Sequence, residues 1–122
     1  MADLQFPTRA LKPYAEPVTK EQLHEGSVYF SVQFVDDEML IPIIETWAFA
    51  GRKLEPEDPE DRFYFQDIES YRYGVRYGSA EHEQARFQVA EGQNLNMYDY
   101  EQALNEMLKC SLRRKSKLRN VQ

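Results

Sequence analysis

Residues 27–50, SVYFSVQFVDDEMLIPIIETWAFA, decide how the rest of the chain is read. Val28, Phe30, Val32 and Phe34 alternate with Tyr29, Ser31 and Gln33, the period of two that marks a half-buried strand. Asp36, Asp37 and Glu38 then make a polar turn, and residues 39–50 form a second strand with Ile41, Ile43, Trp47 and Phe49 on one face. Proline has no N–H for a ladder, so an edge or a bulge is expected at Pro42. Two such strands joined by a short turn are a hairpin, and a hairpin starts an antiparallel sheet.

Downstream, Gly51 is expected to end the second strand. Residues 55–61, EPEDPED, hold five acids and two prolines and read as a solvated loop. Residues 62–68 give a third strand. Residues 71–77 give a fourth, with Tyr71, Tyr73, Val75 and Tyr77 sharing a face. Residues 85–90 give a short fifth through Phe87 and Val89. Upstream, Pro7, Pro13 and Pro17 make residues 1–18 an extended arm. Phe6, Leu11 and Tyr14 are its expected anchors. Thr19 and Gln22 match a capping box, which predicts one helical turn closed by Gly26, with Leu23 pointing inward.

The one long helix is expected from about residue 97 or 99 to 114. Asn96 and Asp99 are its possible N-caps, and Asp99 pairs with Gln102 in a capping-box-like spacing. Tyr100, Ala103, Leu104, Met107, Leu108 and Leu112 recur at helical spacing, so this face is expected to pack on the sheet. On that packing, a charge at Leu104 or Leu108 should unfold the domain. The fold class is α+β: about five antiparallel strands in a curved sheet or partly open small barrel, packed by one C-terminal helix and preceded by an extended arm. Residues 19–114 are one domain and residues 115–122 a basic flexible tail.

Composition sets the outer bounds. A chain of 122 residues is the size of one domain, and its 42% hydrophobic content can fill one core. Cys110 is the sole cysteine, which excludes an intramolecular disulfide and a cysteine-based zinc site. It also fits a reducing, cytoplasmic setting. The N-terminal residues lack the apolar run of a secretory signal, and no segment is apolar enough to span a bilayer. No glycine-rich phosphate loop is present, and neither His24 nor His82 belongs to a triad motif. No metal and no cofactor is expected, because the acidic clusters lack calcium-loop spacing.

Charge is unevenly spread. The last fourteen residues carry Lys109, Arg113, Arg114, Lys115, Lys117 and Arg119 and no acid. The preceding residues hold nine Lys/Arg against twenty-one Asp/Glu. A basic tail on an acidic body reads first as a solvated helix C-terminus that completes the macrodipole or lies on the body, then as a contact for a protein partner, including another copy, and third for nucleic acid. The tail has no interleaved aromatics for base stacking, and too little apolar area to enter a membrane. Tyr64, Tyr71, Tyr73 and Tyr77 form an aromatic run able to line an interface. Glu45 shares a face with Ile43 and Trp47, and Asp67 shares one with Phe63 and Phe65. These two are the weak catalytic candidates, since a carboxylate on an apolar face can have a raised pKa suited to acid/base work. A bulge at Pro42 that turns Glu45 outward, or pairing with Arg62, Arg72, Arg76, Arg86 or a tyrosine hydroxyl, would remove that prospect. The expected function is therefore a small non-enzymatic protein-interaction module, able to self-associate. A ligand-binding or acid/base domain with a pocket between sheet and helix is the alternative. A nucleic-acid factor using the tail is third.

Overall fold

The computed structural model describes residues 5, 7–8, 10 and 12–120. The expected anchors Phe6 and Leu11 lie outside the described residues. The elements are a 3-10 turn at Lys20–Gln22, strands β1 (Val28–Phe34), β2 (Pro42–Arg52) and β3 (Arg62–Asp67), helix α1 (Ile68–Arg72), a 3-10 turn at His82–Gln84, strand β4 (Phe87–Glu91) and helix α2 (Tyr100–Asn120). The strands pair in sequence order as an antiparallel four-stranded meander, curled into a half-barrel. The class is α+β, with four strands rather than five.

The expected hairpin forms, with Phe34 opposite Pro42 and Tyr29 opposite Trp47. Pro42 sits at a local edge, as expected: residues 42–46 pair with β1 alone, because the β2–β3 ladder begins at Trp47. It is the first residue of a central strand, where the missing N–H is tolerated. The bulge falls later, where the register shifts between Phe49 and Gly51. Gly51 therefore does not end the strand. It takes φ 145°, and a Cβ there would sit 2.8 Å from a Leu54 methyl. Only glycine lets the strand bend there and run on to Arg52.

Tyr71, Tyr73, Val75 and Tyr77 are not a strand. Asp67 caps a short helix instead: its carboxylate accepts from the Ser70 N–H and hydroxyl. Gly74, at φ 90°, then turns the chain in a conformation closed to a strand. The period-two pattern of these four residues is coincidental. The segment folds back over the outer face of β3 and β4, where Gln66 Nε2 donates to Ser70 Oγ and the Val75 carbonyl, each at 2.9 Å.

The inner face of the half-barrel holds the core: Val18, Tyr29, Trp47, Phe49, Phe63, Phe65, Leu95 and Met97. Phe65 is fully buried, with the Tyr29 ring edge-on at 6.2 Å and the Phe49 ring at 5.5 Å. Trp47 Nε1 donates to Ser31 Oγ at 2.9 Å, so the indole is satisfied without water. After β4 the chain returns across the open side. Leu95 and Met97 drop into the core, and Tyr98 pairs with Phe30 on the free edge of β1. The Val18 N–H donates to the Met97 carbonyl and continues the closure.

Asp99 caps α2, accepting from the Gln102 N–H at 2.8 Å. Gln102 does not complete the box; its side chain accepts from the Glu16 N–H of the arm. The helix runs six residues past the expected end at Arg114, so residues 115–120 of the expected tail are helical. Its expected packing face is also corrected. Ala103 and Cys110 are buried, whereas Tyr100, Leu104, Leu108 and Leu112 are exposed by 69%, 58%, 48% and 54%. The helix turns its small and polar side to the body and its leucines outward. Leu104→Asp should accordingly leave the melting midpoint within the range of a surface change, about 0.5 kcal/mol. Phe65→Ala should cost about 3–5 kcal/mol. Thermal denaturation of both variants checks this, and cooperative loss of the fold in Leu104→Asp would contradict it.

Candidate functional site

The expected acid/base pair is a pair of structural carboxylates. Glu45 lies on the face of Ile43 and Trp47, as its position in β2 requires, and Arg86 Nη2 binds its Oε2 at 2.8 Å. The same guanidinium lies 5.3 Å from the Trp47 ring. Asp67 ends the adjacent strand β3, opposite Trp47, and serves as the α1 cap. Burial works to raise its pKa, but the Ser70 hydroxyl, the Arg86 and Ser70 N–H groups and the Arg86 charge hold it below the usual aspartate range. A carboxylate poised for general acid work needs the opposite shift.

The four tyrosines do not share a surface. Tyr64 is 5% exposed beneath Tyr77, ring centroids 5.0 Å apart, and donates its hydroxyl to Asp58. Tyr77 donates to Glu55. Tyr71 stacks under the Arg76 guanidinium at 3.7 Å. Tyr73 alone is strongly exposed, at 87%. The acidic loop is likewise not wholly solvated. Asp58 is buried, bonded to Tyr64, to the Glu55 N–H and to Arg62 at 2.7 Å. His82 is half-buried, its Nδ1 accepting from the Gly78 N–H. Among the described residues, no cluster of three or more His, Cys, Asp or Glu could hold a metal ion.

Four of the six tail bases hold the helix to the body. Arg113 Nε and Arg114 Nη1 donate to the Met39 and Leu40 carbonyls at 3.0 and 3.1 Å, and Lys117 pairs with Glu38. Lys109 donates to the Pro13 carbonyl of the arm, lies 5.6 Å from the Tyr14 ring and pairs with Glu106. Lys115 and Arg119 are exposed. The β1–β2 turn is built to receive these bases. Asp36 accepts from the Leu40 and Ile41 N–H groups, leaving the turn's carbonyls free to face α2. Cys110 Sγ also donates to the Leu40 carbonyl. A nucleic-acid surface needs bases that face outward, and most of these are committed.

What remains open is the outer face of α2. Leu104, Leu108 and Leu112 recur every fourth residue and form one stripe along the helix, with Tyr100 at its head and Leu118 at its foot. The arm runs beside it. Thr8, Ala10 and Lys12 wall a groove of about 300 Å³ floored by Leu104 and Leu108. Near the foot, Leu118 shares a second hollow with Leu40 and with Ile41, itself 49% exposed. Scattered exposed leucines are ordinary, but a contiguous apolar stripe on a soluble surface marks an interaction site. Periodicity located these residues; it could not tell which neighbour they face.

Asp36, Asp58 and Asp67 all have pKa values held low by hydrogen bonds that outweigh the effect of burial. A carboxylate depressed in the native state adds stability that is present above its unfolded pKa and lost as pH falls through the native one. The melting midpoint should therefore hold from neutral pH to about pH 4 and drop below it. Asp67→Ala should cost about 1 kcal/mol as a lost cap and flatten the acid limb. Carboxyl NMR that places Asp67 above its model-peptide value would contradict this. Comparison with family models, with curated proteins and with solved structures finds no match to this chain.

Proposed function

We propose that this chain is a small non-enzymatic interaction module whose binding surface is the outer face of α2. The exposed Leu104–Leu108–Leu112 stripe carries the reading. The stripe stays largely exposed on a helix that is already anchored by its other side, and helix-in-groove recognition uses side chains at this spacing. Contacts on the tyrosine run draw little support, because the tyrosines are scattered. Glu45 and Asp67 lend no support to catalysis. No helix among the described residues is long and apolar enough to cross a membrane. A cytoplasmic setting fits a chain whose one thiol, Cys110, is free and buried.

The arm and the basic residues serve this reading by holding α2 in place. Arg113, Arg114 and Lys117 fix the C-terminal half of the helix to the turn, and Asn105 and Lys109 fix the middle to the arm. A preorganised face loses less entropy on binding than a mobile one.

A photo-reactive residue placed at Leu108 tests the assignment, with the same residue at the more exposed Tyr73, beside α1, as a control. In cells that express the chain, position 108 should yield discrete protein adducts and position 73 should not. No adduct from 108, or the same adducts from both positions, would overturn the reading.

A further inference from the structure

We propose that the free edge of β4 is a second docking surface, separate from α2, and that it takes an extended basic peptide of another protein as a fifth antiparallel strand.

The ladder sets the geometry. In an antiparallel pair, alternate residues aim both N–H and C=O at the neighbouring strand, and the residues between them aim both away. The Gly92 N–H donates to the Asp61 carbonyl and the Asp67 N–H to the Arg86 carbonyl, which fixes the alternation between β3 and β4. Gln88 and Ala90 therefore face β3. Phe87, Val89 and Glu91 turn their N–H and C=O groups outward, and β4 is the last strand of the sheet. Among the described residues, no hydrogen bond reaches these outward groups.

The other edges are managed, as exposed edges usually are. Tyr98 bonds the free edge of β1, and Pro42 removes a donor from the exposed part of β2. β4 has neither device. Residues 87–91 contain no proline, lysine or glycine, and their register with β3 is unbroken. The outward groups recur every second residue, about 6.8 Å apart. Such a row matches an extended backbone, and a peptide can join a sheet in this way.

Side chains beside the edge give the peptide its chemistry. Val89, 47% exposed, lies opposite Tyr64 and so on the outer face. Phe87, on the same face, stacks on His82 with ring centroids 5.0 Å apart. An added strand fits best with an apolar residue opposite Val89 and an aromatic one opposite Phe87. The other end of β4 is acidic. Asp61 is exposed, and among the described residues its carboxylate makes no hydrogen bond or ion pair. Its Oδ2 lies 3.9 Å from where a Cβ on Gly92 would stand. Glu91 is already held by Arg62 and is not needed for the argument. In antiparallel order the peptide meets Asp61 three residues before its apolar residue, and a Lys or Arg fits there.

NMR titration of the full chain with acetyl-Thr-Arg-Thr-Thr-Val-Thr-Tyr-Thr-amide tests this. Before addition, the Val89 amide should exchange with solvent much faster than the Gln88 and Ala90 amides. With peptide, shifts should concentrate on residues 87–92 with a Kd of about 1 mM or tighter, and the Val89 amide should become protected. N-methylation of the peptide's valine, whose N–H points at β4, should cut affinity by about tenfold or more. N-methylation of the preceding threonine should not. Val89→Pro should abolish binding with unchanged circular dichroism, because the Val89 N–H lies outside the β3 ladder. Asp61→Lys should weaken binding by about threefold. Leu108→Glu should change nothing, which separates this edge from the α2 face. No shifts at residues 87–92 up to about 2 mM peptide, equal affinity of the two methylated peptides, or binding that survives Val89→Pro would overturn the proposal. A Val89 amide already protected in the chain alone and released on dilution would also overturn it, with a second copy as the occupant.

Discussion

Two backbone hydrogen bonds of 2.8 Å, exchanged between Phe30 and Tyr98, govern the arrangement of this protein. A four-stranded meander has two open edges and one apolar face to cover. The return of the chain from β4 to the free edge of β1 deals with one edge and supplies the cover, since Leu95 and Met97 precede Tyr98 into the core. The curl of the sheet lets one short segment do both. Without that bridge, Phe65 and Trp47 would face an open trough.

The same bridge sets where α2 begins. Asp99 follows Tyr98 directly and caps the helix, so α2 starts at the edge of β1 rather than over the sheet face. The core is already closed by Leu95 and Met97 and has no room for a leucine stripe. What the body offers α2 is an edge, a turn and an extended arm, all rich in carbonyl groups. The helix meets them with Ala103 and Cys110, small enough for close approach, and with Lys109, Arg113 and Arg114, which donate to the Pro13, Met39 and Leu40 carbonyls. The amphipathic pattern is therefore inverted relative to a core-packing helix. The basic cluster anchors the helix and the leucines are left outside.

Much of the fold was legible from local chemistry. The Val28–Phe34 alternation, the acidic turn at 36–38, the third strand and the Asp99 cap all state their structure within a few residues. The arginine that neutralises Glu45 was among those expected, Arg86. Three features were not legible, each for a long-range reason. The tyrosines at 71, 73 and 77 imitate a strand, and only the Asp67–Ser70 cap with Gly74 overrides the pattern. Asp58 looked like one of five solvated acids until Tyr64 and Arg62 folded over it. The helix periodicity gave the leucine face but not its direction, because Leu95 and Met97, which pre-empt the core, carry no periodic signal. The candidate site was thus seen as a set of residues and misplaced as a surface.

α2 shows its leucines to solvent, while the β1–β2 turn and the Lys12 and Pro13 carbonyls hold its other side. Solvent paramagnetic relaxation of leucine methyl groups, recorded on dilute protein with a soluble gadolinium probe, measures this most directly. Strong relaxation is expected at Leu104, Leu108 and Leu112, and near-complete protection at Leu95, which is 1% exposed. Protection of Leu104 and Leu108 equal to that of Leu95 would mean instead that the helix packs by its apolar face.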